Sequence, residues 1–163
     1  MDSNVSSVGL DGCRAEWGGN IGFVFLSADK ISATNCVTDR NIGYGVHVDV
    51  AAGTVVRPLV LSGCVFNRDG SDGLSRAGIR VLRCERLLLS NVVVERGVND
   101  DGSGSRSPTY GLDLTNAFVL ISGGWIAGVT QAVRSVSGNT IRYSGGSYLL
   151  TDSGTVWQPA NTS

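Results

Sequence analysis

The segment LVLSGCVFN, residues 59–67, decides the fold. Leu59 and Leu61 alternate as the inward residues of a strand should, and the run then meets Gly63 and Cys64 where a simple strand would continue. VGLDGCRAE (8–16) and ISATNCVTD (31–39) break in the same way upstream, and LLLSNVVVE (87–95), VLISGGWIA (119–127) and IRYSGGSYL (141–149) do so downstream. The first positions of these segments, Val8, Ile31, Leu59, Leu87, Val119 and Ile141, are all apolar and lie 23, 28, 28, 32 and 22 residues apart. A self-similar period of this length is the mark of a repeat architecture. The fifth position is always Gly or Asn (Gly12, Asn35, Gly63, Asn91, Gly123, Gly145), the residues that most readily accept a positive φ, so a sharp bend is predicted in every repeat.

A glycine-led strand precedes most of these segments: GFVF at 22, GVHV at 45, GIRV at 78, GLDL at 111, with AVRS at 132 as the last of the series. Three short strands per repeat, stacked at about 4.8 Å, predict an all-β chain, a parallel β-helix of about six coils. Composition agrees, because Gly is abundant at 23 residues, Pro is scarce at three, and glycines recur before a helix reaches three turns. The helix is predicted to fill residues 1–150, with 151–163 as a cap or tail in which Trp157 plugs the end and Pro159 stops further pairing.

The order of glycine-led strand, short turn, second strand, Gly/Asn bend, third strand and long variable turn resembles the right-handed, single-stranded parallel β-helices of the pectate-lyase-like superfamily. The Gly/Asn column is similar to that family's asparagine ladder. The resemblance implies that the glycine-led sheet and the long turns before it line a saccharide cleft. It is specific for fold and says little about activity.

Cys13, Cys36 and Cys64 share the sixth column, and Cys84 stands apart from it. Neighbouring inward side chains point the same way, whereas a disulfide needs Cβ atoms about 3.8 Å apart and aimed at each other, so the thiols are expected to be reduced. No CxxC or His-containing ligand spacing is present, and neither a metal nor a cofactor is expected. A formal charge of −1 supplies no general attraction to nucleic acid or anionic membrane, and no run of about 18 apolar residues predicts membrane insertion.

Function is therefore sought at outward positions and turns. On the glycine-led strands the outward residues are Val24, His47, Arg80, Asp113 and Arg134, a polar stripe on neighbouring strands about 5 Å apart. His47, Arg80 and Asp113 are the candidate catalytic residues, and Arg134 a candidate ligand contact. The turns 67–77 and 95–109, longer than their counterparts, add Asp69, Asp72, Glu95, Asp100 and Asp101 as candidate ligand-binding carboxylates. Two carboxylates about 5 Å apart suit a retaining glycosidase and about 6.5–9.5 Å an inverting one, and sequence spacing leaves these and a lyase open. A solvated ladder of paired charges with no specific role is the plainer alternative.

Outward positions of the other two strands are apolar: Val60, Leu88 and Leu120 on one, Val37, Val65, Val93 and Trp125 on the next. So large a band predicts a covered face, here self-association as a parallel homotrimer. The chain also begins in mid-coil, which suggests a piece of a longer protein. A trimer-prone β-helix with reduced cysteines, no secretion signal and a saccharide-type cleft resembles part of a bacteriophage tailspike or tail fibre. That resemblance implies a virion tail module attaching to a bacterial surface polysaccharide, with or without cleavage. A monomeric polysaccharide lyase or hydrolase, secreted from its source, and a purely structural shaft are the alternatives.

Overall fold

The computed structural model describes residues 7–26, 30–49, 58–70 and 74–144, and the backbone of 147–148 and 157–159. The first strands are β1 (Ser7–Asp11), β2 (Arg14–Glu16), β3 (Phe23–Phe25), β4 (Lys30–Thr34), β5 (Val37–Asp39), β6 (Val46–Val48), β7 (Leu59–Ser62) and β8 (Val65–Asn67). They are followed by β9 (Ala77–Glu95), β10 (Tyr110–Ile126), β11 (Gln131–Ser137), β12 (Thr140–Ser144), β13 (Ser147–Tyr148) and β14 (Trp157–Pro159). The chain is all-β: these 14 strands form one hydrogen-bonded sheet, and their pairings are parallel. Among the described residues the one antiparallel contact is an isolated bridge between Gly97 and Arg106.

The register is the one the repeats predict. Val8 pairs with Ile31, Ile31 with Leu59, Leu59 with Leu87, Leu87 with Val119, and Val119 with Ile141. β14 adds a further strand, pairing Trp157 with Ile141 and Pro159 with Tyr143, and Pro159 is its last residue; 160–163 lie outside the described residues. The side chain of Trp157, and with it the expected plug, lies outside the described residues.

Gly12, Asn35, Gly63, Asn91 and Gly123 all have φ between 50 and 66°, so each repeat bends at the expected position; Gly145 lies outside the described residues. A second bend column, which sequence patterning missed, runs through Arg83, Asn116 and Gly138 at φ 51–62°. A third runs through Trp17, Arg40 and Arg68 at 54–61°. The bends do not interrupt pairing in the middle repeats, where β9 and β10 run 19 and 17 residues straight through their corners instead of splitting into three strands each. The reason is that both strands turn in step, so pairing resumes on the far side of each corner, with one register shift between Ala117 and Val119.

Inside, Ile31, Leu59, Leu87, Val119 and Ile141 are buried in one stack and Phe66, Val94 and Ile126 in another. All four cysteines are unpaired; Cys36, Cys64 and Cys84 are buried and Cys13 is partly so. The Cys64 thiol donates to the Ala33 carbonyl at 3.3 Å, and burial pushes its pKa up, which keeps it a thiol. No helix among the described residues is long and apolar enough to cross a membrane.

Candidate functional site

Strand register brings the predicted stripe together. Val24 pairs with His47, His47 with Arg80, Arg80 with Asp113, and Asp113 with Arg134. Asp113 is only 2 % exposed although it lies on the outward face, because arginines cover it. Arg134 forks onto it, donating Nε to Oδ1 at 2.8 Å and a terminal nitrogen to Oδ2 at 2.6 Å. Arg80 Nε approaches Oδ2 to 3.6 Å, an electrostatic distance rather than a hydrogen bond. The Asp113 hydrogen bond is also the main cause that raises the Arg134 pKa, so that guanidinium remains charged.

Two tyrosines that sequence reading missed frame the arginines. Tyr44 Oη accepts from Arg80 at 2.8 Å and from Arg76 at 3.3 Å, and its ring meets His47 edge-on at 4.8 Å. The Arg134 guanidinium lies 4.4 Å from the centroid of Tyr110. Alternation gave no signal for them: counted back from Val46 and Leu112, period two would turn both rings inward, yet they meet the outward side chains of His47, Arg80 and Arg134. Arg76, on an irregular turn, had no periodic signal.

The surroundings of His47 favour its neutral form. Burial is the first cause that lowers its pKa below the ordinary 6.5, and the Arg80 charge is the second; Asp49 and Asp113 oppose them. Neither ring nitrogen finds a hydrogen-bond partner, nor does Arg80 Nε.

The described carboxylates of the long turns do not converge on this stripe. Asp69 is buried, accepting hydrogen bonds from Thr38 Oγ1, from the Asn41 amide at 3.0 Å and from Asn41 Nδ2 at 2.9 Å. It fastens successive turns from inside: a Cβ on Gly45 would lie 2.6 Å from its Oδ2. Burial raises its pKa to about 6. Asp100 bridges Arg40 at 2.7 Å and Arg68 at 2.9 Å, and Arg68 also forks onto the buried Asp39 at 2.9 and 2.7 Å. Asp101 caps its own turn through the Ser103 amide and hydroxyl, the cause that lowers its pKa. Glu95 stands exposed at the end of β9, and Asp72 lies outside the described residues.

From the same turn, Arg106 reaches back to Trp17, which Arg40 also covers at 4.2 Å from the ring centroid. The turn after β9 is thus strapped along the third bend column, an arrangement that no sequence spacing announces. Among the described residues no three His, Cys, Asp or Glu side chains converge to hold a metal ion.

The apolar band is in register too: Val37, Val65, Val93 and Trp125 form one row, and Val60, Leu88 and Leu120 the next. Packing in rows leaves the aliphatic members only partly exposed, with Trp125 at 36 %. Comparison with known proteins found no match to a family model, to a curated protein or to a solved structure.

Proposed function

We propose that the parallel pairings close into a right-handed, single-stranded parallel β-helix of the pectate-lyase-like type, and that the chain is a virion tail host-attachment module for a bacterial surface polysaccharide. The observation that carries this reading is the stripe itself: His47, Arg80, Asp113 and Arg134 in one register, ordered on a covered carboxylate and flanked by Tyr44 and Tyr110. Forked guanidiniums and aromatic rings on a rigid sheet are suited to holding sugar hydroxyls and acidic substituents.

Binding is favoured over cleavage. Asp113 is covered, at 2 % exposure, and each of its oxygens accepts from Arg134, so it orders arginines and presents no exposed oxygen to a substrate proton. The rows Val37–Val65–Val93–Trp125 and Val60–Leu88–Leu120 supply the contact for a parallel homotrimer, whose three stripes would add avidity to weak sugar contacts. A screen of bacterial capsule and lipopolysaccharide glycans, followed by product analysis, tests this reading. Retention of an intact glycan supports attachment, released oligosaccharides assign a lyase or hydrolase, and no retention at all leaves the structural shaft.

A further inference from the structure

Trp17 lies open where its neighbours in the third bend column are covered. Its φ of 57° is an outlier for so bulky a side chain, and Gly or Asn would make the same bend with less strain. Strain held at such a residue points to a contact that its side chain makes. Arg40 and Arg68, next in the column, turn their guanidiniums to Asp39 and Asp100 and are only 17 % exposed, whereas Trp17 leaves 57 % of its surface open. Arg40 backs the indole at 4.2 Å from its centroid, and Arg106, at 5.7 Å, stands too far off to cover the ring in the same way. The indole is thus an exposed apolar surface fixed from behind. Polar groups beside it have capacity to spare: among the described residues the indole N–H has no acceptor, Arg106 donates through Nε alone, to Asn99 Oδ1, and Asp100 receives both arginines on Oδ1 and leaves Oδ2 unused. Arg106 is partly exposed and Asp100 half exposed, so a ligand reaches them without opening the fold.

We propose that Trp17 is a stacking platform for one pyranose ring of an acidic saccharide, whose carboxylate takes the two terminal nitrogens of Arg106. A pyranose has an apolar C–H face and a hydroxylated rim; the indole meets the first, and the indole N–H and Asp100 Oδ2 meet the second. The parallel N–H groups of a guanidinium match the two oxygens of a carboxylate, which is what separates an acidic sugar from a neutral one here. Because Arg40 already fixes the ring, stacking immobilises little more of the protein. The platform is shallow, so a single sugar binds weakly and a repeating polymer gains by avidity. Assignment of the ligand to a bacterial surface polysaccharide rests on the attachment reading; the platform itself does not.

The chain has three tryptophans, so its indole N–H signals are few in NMR, and Trp17→Phe assigns the one in question. The unaltered protein is titrated at equal ionic strength with glucuronate, glucose and acetate. Glucuronate should move the Trp17 signal at millimolar concentration and bind roughly tenfold more tightly than glucose, and acetate, which has the charge without the ring, should leave the signal in place. Arg106→Gln should bring glucuronate down to the level of glucose. A Trp17 signal that none of the three moves, or that acetate moves as far as glucuronate does, overturns the proposal. A Trp17 signal that stays still while the protein retains an intact bacterial glycan also overturns it, and leaves attachment to the stripe. A glucuronate response with no bacterial glycan retained removes the attachment function and leaves the platform standing.

Discussion

Asp69 shows how a single side chain can change its meaning once its neighbours are known. In sequence it is an acidic residue in a long polar turn; in the fold it is a buried hydrogen-bond acceptor whose pKa is raised from 3.8 to about 6. Because the folded state holds its proton more tightly than the unfolded chain, this group's contribution is most favourable below about pH 4 and falls as pH rises through 6. The loss should be about 2–3 kcal/mol between those limits. Urea denaturation at both pH values checks it, with Asp69→Asn expected to flatten the difference. Asp113 presents the complementary case, a covered carboxylate matched by arginine. Asp113→Asn should cost about 1–3 kcal/mol and weaken glycan retention, because Arg134 and Arg80 lose the charge that orders them.

Bends and straps set the behaviour of the strands and turns. At Gly63, φ is 60° and a Cβ would lie 2.8 Å from Asn35 Oδ1, so Gly63→Ala should destabilise the protein by roughly 1–2 kcal/mol, measured as a lowered thermal midpoint. Gly63→Asn, matching its ladder neighbours Asn35 and Asn91 in backbone preference, should cost less. The turn after β9 is held by Asp100 between Arg40 and Arg68. Asp100→Asn should therefore speed limited proteolysis within residues 96–109 while leaving the far-ultraviolet spectrum unchanged. A cleavage rate equal to that of the parent protein would show that the Arg106 contact with Trp17 is sufficient on its own.

For the molecule as a whole, the long apolar rows carry the assembly prediction. Trp125→Asp puts a charge at their most exposed aromatic and should convert a trimer to monomer in sedimentation velocity, with little change in folding because Trp125 lies on the outer side of its strand. A parent protein that sediments as a monomer at micromolar concentration would remove the homotrimer and favour the lyase or hydrolase alternative. In β9 and β10 the stripe is separated from these rows by the bends at Arg83 and Asn116, so Trp125→Asp should leave the affinity of one chain for a short glycan unaltered and reduce only the avidity for long polymer.

Strand identity, inward columns and the register of the stripe were all readable from residue order, because a parallel ladder repeats one local pattern and a two-residue alternation separates inside from outside without long-range information. The Gly and Asn bend column was readable for the same reason: its backbone demand falls on residue types that advertise it. The third bend column was hidden because Trp17, Arg40 and Arg68 carry no such signature, and the second because Arg83 interrupts the series that Asn116 and Gly138 continue. The fate of the acidic turns was hidden as well. Whether Asp69, Asp100 and Asp113 face a ligand, a backbone amide or an arginine depends on which turns lie one layer above and below, a distance of about 4.8 Å in space that spans some 20 to 30 residues of chain.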